Sequence, residues 1–153
     1  MAEEILTKIY KYCTYQERCK SEVRKKLISL RAPEEDLEKI LAHLERENFL
    51  NEMRFAQAYV RGKFIYKKWG RQKIRYELRG KQVPEELIEQ AIAEEIDEES
   101  YEISMRKLIR QRKKQISDLS PFEKKAHLSK FLAQKGYENS EMAAVIKTFL
   151  EEE

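Results

Sequence analysis

The most constraining feature of this chain of 153 residues is that it repeats itself. Residues 20–41 align without a gap on residues 71–92, at an offset of 51 positions, and a weaker third copy follows at a further offset of 54. Matched apolar positions include Val23 with Ile74, Leu27 with Leu78, and Leu78 with Leu132. Similarity at a fixed period of this size predicts a tandem-repeat protein.

Within each copy, apolar residues recur at spacings of three and four, which is the period of an amphipathic helix. The sequence predicts few or no β-strands. It has only four glycines and three prolines for turns, and β-branched residues do not form alternating runs. We predict an all-α fold of about nine helices, in tandem three-helix units over residues 1–48, 49–97 and 98–153. Units with narrow apolar faces stack in a row, which favours an elongated, curved body. The alternative is one compact helical bundle with accidental internal similarity.

Capping residues predict several helix ends. We predict that Asn51, Asp97 and Asn139 are N-caps and that Ser120 and Glu123 form a capping box. Leu50 is placed to pack on Phe55 as a hydrophobic staple, and Gly136 to end a helix. Short helices with sharp ends agree with the repeat.

The net charge of +3 hides blocks of opposite sign. Residues 61–81 contain nine basic residues against Glu77, so 9 minus 1 gives +8, and residues 85–102 contain nine acidic residues and no basic one, giving −9. Helical spacing predicts two basic ridges, one of Arg54, Arg61 and Lys68 at i, i+7 and i+14 and one of Arg71, Arg75 and Arg79 at i, i+4 and i+8. Such ridges suit phosphates or an acidic protein surface. The candidate partner- or DNA-binding residues are Arg54, Arg61, Lys67, Lys68, Arg71, Arg75 and Arg79. The alternative is a solvated face neutralised by the acidic block.

Aromatic residues interleave with these cations and are able to stack on bases. Phe64 is assigned to the core, whereas Tyr66 and Tyr76 are candidates for contact. For Trp69, packing and partner contact remain equally open.

No catalytic, cofactor or metal site is predicted. His43 and His127 are interpreted as ordinary exposed histidines, because no ligand or phosphate-loop motif accompanies them. Cys13 is expected in the core; Cys19 lies near a helix start, where a thiolate is favoured, but nothing nearby is arranged to use one. No apolar segment is long enough to span a bilayer and no secretory signal is apparent, so we expect a cytoplasmic protein.

Three segments resemble the bacterial RecX family of recombination regulators. They are residues 17–27, residues 44–56 and the run Lys68-Trp69-Gly70 leading into Ile74, Leu78 and Pro84. The most specific part is Leu50–Ala56 followed by Gly70, which is similar to that family's leucine-acid-x-x-phenylalanine-alanine element and downstream glycine. The likeness covers nearly the whole chain.

The resemblance implies a non-enzymatic, cofactor-free protein built from three-helix repeats. Such proteins bind the RecA recombinase in the groove of its filament on single-stranded DNA and restrain its ATPase, strand-exchange and coprotease activities, in homologous recombination and the SOS response. Some members also touch DNA, so a weak direct DNA contact is possible, and a monomer is expected. Two alternatives from the residues alone are a direct nucleic-acid-binding module and a scaffold for an unrelated acidic protein.

This sequence departs from the family pattern at three places. Asn51 replaces the usual aspartate, which keeps the cap but removes a charge. Arg31 and Ala32 stand where the family has glycine, so the turn after Leu27 is expected to be built differently. The family element is also faint in the third copy.

Overall fold

The structure is a computed structural model that describes residues 2–152. These residues form nine helices and no strand, which confirms the all-α prediction. The helices are α1 (Ala2–Tyr15), α2 (Lys20–Ser29), α3 (Glu34–Arg46), α4 (Glu52–Lys67), α5 (Arg71–Gly80), α6 (Glu85–Glu95), α7 (Glu98–Arg112), α8 (Pro121–Lys135) and α9 (Asn139–Glu151).

The repeat is visible in the backbone at the end of the second helix of each triplet. A residue with a left-handed conformation follows each of these helices, directly after α8 and two positions after the last residue of α2 and α5. Its φ is 64° at Arg31, 64° at Gln82 and 102° at Gly136. These positions are 51 and 54 residues apart, the same offsets that align the side chains. In all three, the next amide donates to a leucine carbonyl five residues back, as helices that end in a left-handed residue do. The pairs are Ala32 to Leu27 (3.0 Å), Val83 to Leu78 (3.2 Å) and Tyr137 to Leu132 (3.0 Å).

The expected difference in the turn after Leu27 is therefore wrong. Arg31 adopts the left-handed conformation that a glycine would take, and the turn keeps the hydrogen bonds of the other two. A non-glycine residue has a steric cost in this conformation.

The chain divides into two compact units by its contacts. Unit 1 comprises residues 2–59 and Leu78–Ala91, and unit 2 comprises Val60–Glu77 and residues 92–152. All three boundaries between the units fall inside helices, since α4, α5 and α6 each contribute to both units. The predicted module boundaries after residues 48 and 97 stay a prediction.

Unit 1 has its main core between α1, α2 and α3. Its buried side chains include Ile9, Cys13, Val23, Leu27, Leu37, Leu41, Leu44 and Leu50. In unit 2, α7, α8 and α9 pack together, and the buried side chains include Phe64, Ile74, Tyr101, Met105, Ile109, Leu128, Leu132 and Ile146. Most of these are the positions that the spacing of three and four assigns to the helix interiors.

Three of the predicted helix starts are confirmed and one is wrong. The side chains of Asn51, Asp97 and Ser120 accept hydrogen bonds from the amides of Arg54, Ser100 and Glu123 at 2.9, 2.7 and 3.2 Å. Asn139 does not cap α9, because it is the first residue of that helix and Glu138 precedes it as the cap. Gly136 ends α8, as predicted.

Among residues 2–152, no helix combines the length and the apolar character needed to cross a bilayer.

Candidate functional site

Arg71, one of the seven candidate residues, lies in the interior of unit 2. Its side chain is buried, and its guanidinium carbon lies 3.9 Å from the centre of the Tyr101 ring. Nη2 donates to Glu98 at 2.7 Å and Nη1 to Glu138 at 3.2 Å. Its amide donates to the Tyr101 hydroxyl at 2.9 Å, and that hydroxyl donates to Glu138. Arg71 therefore joins the starts of α5, α7 and α9, so its role is to stabilise unit 2.

The reason lies in the drift of the predicted ridge around the helix. Residues spaced by four rotate by about 40° per step on an α-helix, so a run at i, i+4 and i+8 does not stay on one side. Arg71 faces the interior, Arg75 is half-buried, and Arg79 is exposed. The three arginines that the sequence analysis grouped into one ridge therefore do not share one exposed face in the structure.

Burial has a measurable effect on two tyrosines of this cluster. It raises the pKa of Tyr101, helped by the hydrogen bond to Glu138, and raises the pKa of Tyr137 to about 12. Both pKa values lie above the ordinary value of 10. In the unfolded chain the two phenols ionise near pH 10, whereas in the folded chain they stay neutral at that pH. The neutral phenols thus stabilise the fold fully below pH 10 and lose this contribution as pH rises above it.

We expect the free energy of unfolding to fall above about pH 10, by at most about 1.4 kcal/mol per pH unit for each of the two tyrosines. Urea unfolding at increasing pH, combined with tyrosinate absorbance, measures this. Tyr101→Phe should make the decline less steep, because one of the two ionising groups is gone. A stability that stays flat through the alkaline range would contradict the assignment.

Three other candidates are held by carboxylates. Arg54 donates to Glu17 at 2.5 Å, Arg61 to Glu95 at 2.9 Å, and Arg79 makes two hydrogen bonds to Glu85, at 2.9 and 2.6 Å. Two of these partners, Glu85 and Glu95, belong to the acidic block of residues 85–102. The solvated, neutralised face that was the alternative interpretation is therefore present for part of the basic segment.

Four lysines of the basic segment, residues 61–81, lie at or next to Trp69. Lys63 Nζ lies 5.0 Å and Lys73 Nζ 4.6 Å from the centre of the indole ring. Lys67 and Lys68 adjoin it at the end of α4 and form no ion pair with a carboxylate in the described part of the chain. We call Lys63, Lys67, Lys68 and Lys73, together with Trp69, the cationic surface.

Exposed aromatic residues accompany the cationic surface. Tyr66 is 83% exposed and Tyr76 is 73% exposed, so both present most of the ring to solvent. Phe64 is buried, as predicted. Trp69 is half-buried with two lysines near its ring, so it contributes to packing, and its contact with a partner stays a prediction.

A groove lies beside the cationic surface, between the end of α4 and the first half of α7. Its volume is about 240 Å³, and it is lined by Phe64, Ile65, Lys68, Ser100, Ile103, Ser104 and Lys107. The sequence interpretation missed this groove. The signal that existed was two isoleucines, Ile65 and Ile103, which stand outside the buried positions of their helices.

The histidines and cysteines differ from their sequence interpretation. His43 is half-buried and its Nε2 lies 2.7 Å from the Tyr10 hydroxyl, while His127 Nε2 is buried without a hydrogen-bond partner among residues 2–152. Neither is an ordinary exposed histidine. Cys13 is buried in the core, as predicted, and Cys19 is fully buried at the start of α2. Burial raises the pKa of the Cys19 thiol, which disfavours the thiolate.

Comparisons with known proteins give one consistent family. The model of the RecX second three-helix domain matches residues 51–92. Regulatory protein RecX of Amycolatopsis mediterranei (strain U-32) is 33% identical over 135 residues, which are 88% of this chain and 77% of that relative. Its counterpart in Prosthecochloris aestuarii is 36% identical over 83 residues, 54% of this chain. That alignment spans only 55% of the length of the Prosthecochloris relative.

A solved structure has the same fold. The crystal structure of RecX from Lactobacillus salivarius matches with a TM-score of 0.85 and 24% sequence identity, over 97% of each chain. The arrangement of nine helices is therefore one that an experimental structure also contains.

Proposed function

The chain belongs to the RecX family of regulatory proteins, and from this membership we propose that it binds the RecA recombinase filament on single-stranded DNA and restrains its ATPase, strand-exchange and coprotease activities. The resemblance found in the sequence is confirmed. Its most specific part, Leu50–Ala56 followed by Gly70, lies inside the matched residues 51–92 except for Leu50. The proposal includes a regulatory role in homologous recombination and the SOS response. It also includes action as a cytoplasmic monomer without a cofactor or an enzymatic activity of its own.

The observation that carries the proposal is family membership, and the cationic surface supports it. A nucleoprotein filament presents DNA phosphates and acidic side chains in its groove, and both attract lysines without carboxylate partners. Lys67 and Lys68 meet that description. Arg71 is excluded from the contact set because its charge is used inside unit 2.

The proposal is tested by adding the chain to RecA that is hydrolysing ATP on single-stranded DNA. We expect the rate to fall at fewer than one chain per recombinase subunit, because a protein bound in the filament groove restrains neighbouring subunits together. An unchanged rate at a several-fold molar excess would contradict the proposal.

Charge reversal at the cationic surface should weaken this inhibition. For the double variant Lys67→Glu with Lys73→Glu, we expect the inhibitory concentration to rise about tenfold, with the larger loss at low salt. The matched control is Lys8→Glu with Lys25→Glu, which reverses two exposed lysines of unit 1. Equal inhibition by both double variants would remove the cationic surface from the proposal, provided that circular dichroism shows equal helicity.

A second candidate function is direct binding of single-stranded DNA, and the arrangement around Trp69 favours it. An indole ring flanked by Lys63 and Lys73, with Tyr66 nearby, combines cations for phosphates with surfaces on which bases stack. If the chain binds DNA without the recombinase, the logarithm of affinity should fall with the logarithm of salt concentration by about 0.7 per phosphate neutralised. Absent or salt-independent binding would exclude this function.

A further inference from the structure

We propose that the groove between α4 and α7 docks an acidic segment of the partner protein and takes up one of its aliphatic side chains. The inference rests on the proposed function in naming the recombinase as the source of the segment. What it adds is a second contact with a different chemistry from the cationic surface. It assigns roles to Ile65, Ile103 and Lys107, which neither the repeat nor the family match singles out.

The walls of the groove present apolar surface to solvent. Ile65 on α4 is 51% exposed and Ile103 on α7 is 44% exposed, and both line the same groove. Exposed apolar surface that two neighbouring helices bring together is typical of an interaction site. A volume of about 240 Å³ is small for a cofactor and suits one or two side chains of a bound segment.

The groove has a fixed floor. The Tyr137 hydroxyl donates to the carbonyl oxygen of Lys68 at 2.9 Å and lies 2.8 Å from Ser104 Oγ. Phe64, which lines the groove, packs against Tyr101 with its ring tilted by 30° and ring centres 6.1 Å apart. Lys68 holds a left-handed φ of 55°, and the bond from Tyr137 fixes its carbonyl. A preformed site loses little conformational entropy when it binds.

The charge of the groove selects the occupant. Lys68 and Lys107 line it, Lys67 adjoins it, and no carboxylate is among its lining residues. Cations around an apolar slot fit a segment in which acidic residues flank an aliphatic one. A nucleic acid fits less well, because the isoleucine walls offer no flat ring on which bases stack and the ring of Phe64 is buried.

The first test uses a defined probe and the full chain. The probe is a fluorescein-labelled nine-residue peptide of aspartate and glutamate around one leucine and one isoleucine, and fluorescence anisotropy measures its binding. We expect Ile65→Ser with Ile103→Ser to weaken binding at least about tenfold, and Lys107→Glu to weaken it less. Ile28→Ser is the matched control, because Ile28 is 57% exposed on α2, and it should bind as the unaltered chain does.

Several outcomes would overturn the inference. They are no binding of the probe, equal binding by the isoleucine variant, equal binding of a peptide with serine in place of both aliphatic residues, and displacement of the probe by an oligothymidylate. The last would identify the occupant as a nucleic acid.

A second arm measures binding of the same variants to RecA filaments. If the isoleucine variant loses the probe and also binds filaments at least about tenfold more weakly, the inference is supported. If it loses the probe but binds filaments normally, the groove is not the recombinase contact and the inference is overturned. If the unaltered chain binds the probe through the groove but does not bind filaments, the proposed function fails while the chemistry of the groove stands.

Discussion

Replacing Gly70 with alanine is expected to lower the free energy of unfolding of unit 2 by about 3 kcal/mol. A Cβ atom at this position would lie 2.5 Å from the carbonyl oxygen of Gly136 and 2.5 Å from the amide nitrogen of Tyr137. These are backbone atoms, which have no flexible end to move aside. The backbone itself must therefore separate.

Separation would also break two hydrogen bonds that join the start of α5 to the end of α8. The Gly70 amide donates to the carbonyl of Lys135 at 2.7 Å, and the Gln72 amide donates to the carbonyl of Gly136 at 2.9 Å. Both residues of the contact are buried glycines. An amide left unpaired in the interior loses its interaction with water without replacement.

Two other glycines provide the control. A Cβ added at Gly62 in α4 or at Gly80 in α5 would meet no atom within 4 Å. Alanine there should leave the stability unchanged or raise it by up to about 1 kcal/mol, because alanine favours the helix over glycine. Urea unfolding followed by circular dichroism compares the three variants. If Gly70→Ala were as stable as Gly62→Ala, the close backbone contact would not exist as described.

Gly70 also marks the limit of what the sequence could predict. Resemblance identified it as a family glycine, but the reason for a glycine is its contact with Gly136, in the third triplet. The spacing of the residues around Gly70 does not indicate that the backbone at Gly136, far away along the chain, packs against this glycine. The repeat itself was accessible, because Leu27, Leu78 and Leu132 recur at fixed offsets and face the interior in each copy.

Local signals were reliable where the competing interactions are also local. The caps at Asn51 and Ser120 depend on amides three residues ahead, so the sequence contains all the partners. Asn139 failed as a cap because Glu138, the residue before it, takes the cap position with its carboxylate on Arg71 and Tyr101. Those partners come from other helices, and the sequence alone does not place them.

The cationic surface and the groove show the same division. Charge counting found the basic segment of residues 61–81, but it did not separate Arg71, which is buried, from Lys67, which is exposed. The groove depends on Ile65 and Ile103 meeting from two helices, so its walls exist only after folding. The sequence alone showed which residues are basic or apolar, but it did not show which of them face solvent and can contact a partner.

Arg71→Ala is expected to lower the free energy of unfolding by about 3 kcal/mol, because a buried ion pair that loses one partner leaves the other charge uncompensated. The Glu138 side chain is only 21% exposed and would keep its bond to Tyr101 without the guanidinium that faces it. The stacking of the guanidinium on the Tyr101 ring would be lost as well. Urea unfolding measures the loss.

The matched control is Arg79→Ala on the same helix. Arg79 has two hydrogen bonds to one carboxylate, yet both partners are exposed, with side-chain exposures of 56% and 52%. Solvent screens such a pair, so its removal should change stability little. Equal losses for Arg71→Ala and Arg79→Ala would mean that burial does not distinguish the two arginines.

A double-mutant cycle shows whether Arg71 acts through Glu138. Adding Glu138→Gln to Arg71→Ala should recover about 1 to 2 kcal/mol, because the second change removes the buried charge that the first left unpaired. Additive losses would instead assign the effect of Arg71 to its packing on Tyr101.

Because Arg71 maintains unit 2, its charge reversal should reduce partner binding by unfolding the chain, whereas reversal at Lys67 and Lys73 should reduce binding with helicity intact. Measuring helicity and filament binding on the same samples separates the structural cations of this chain from those available to a partner.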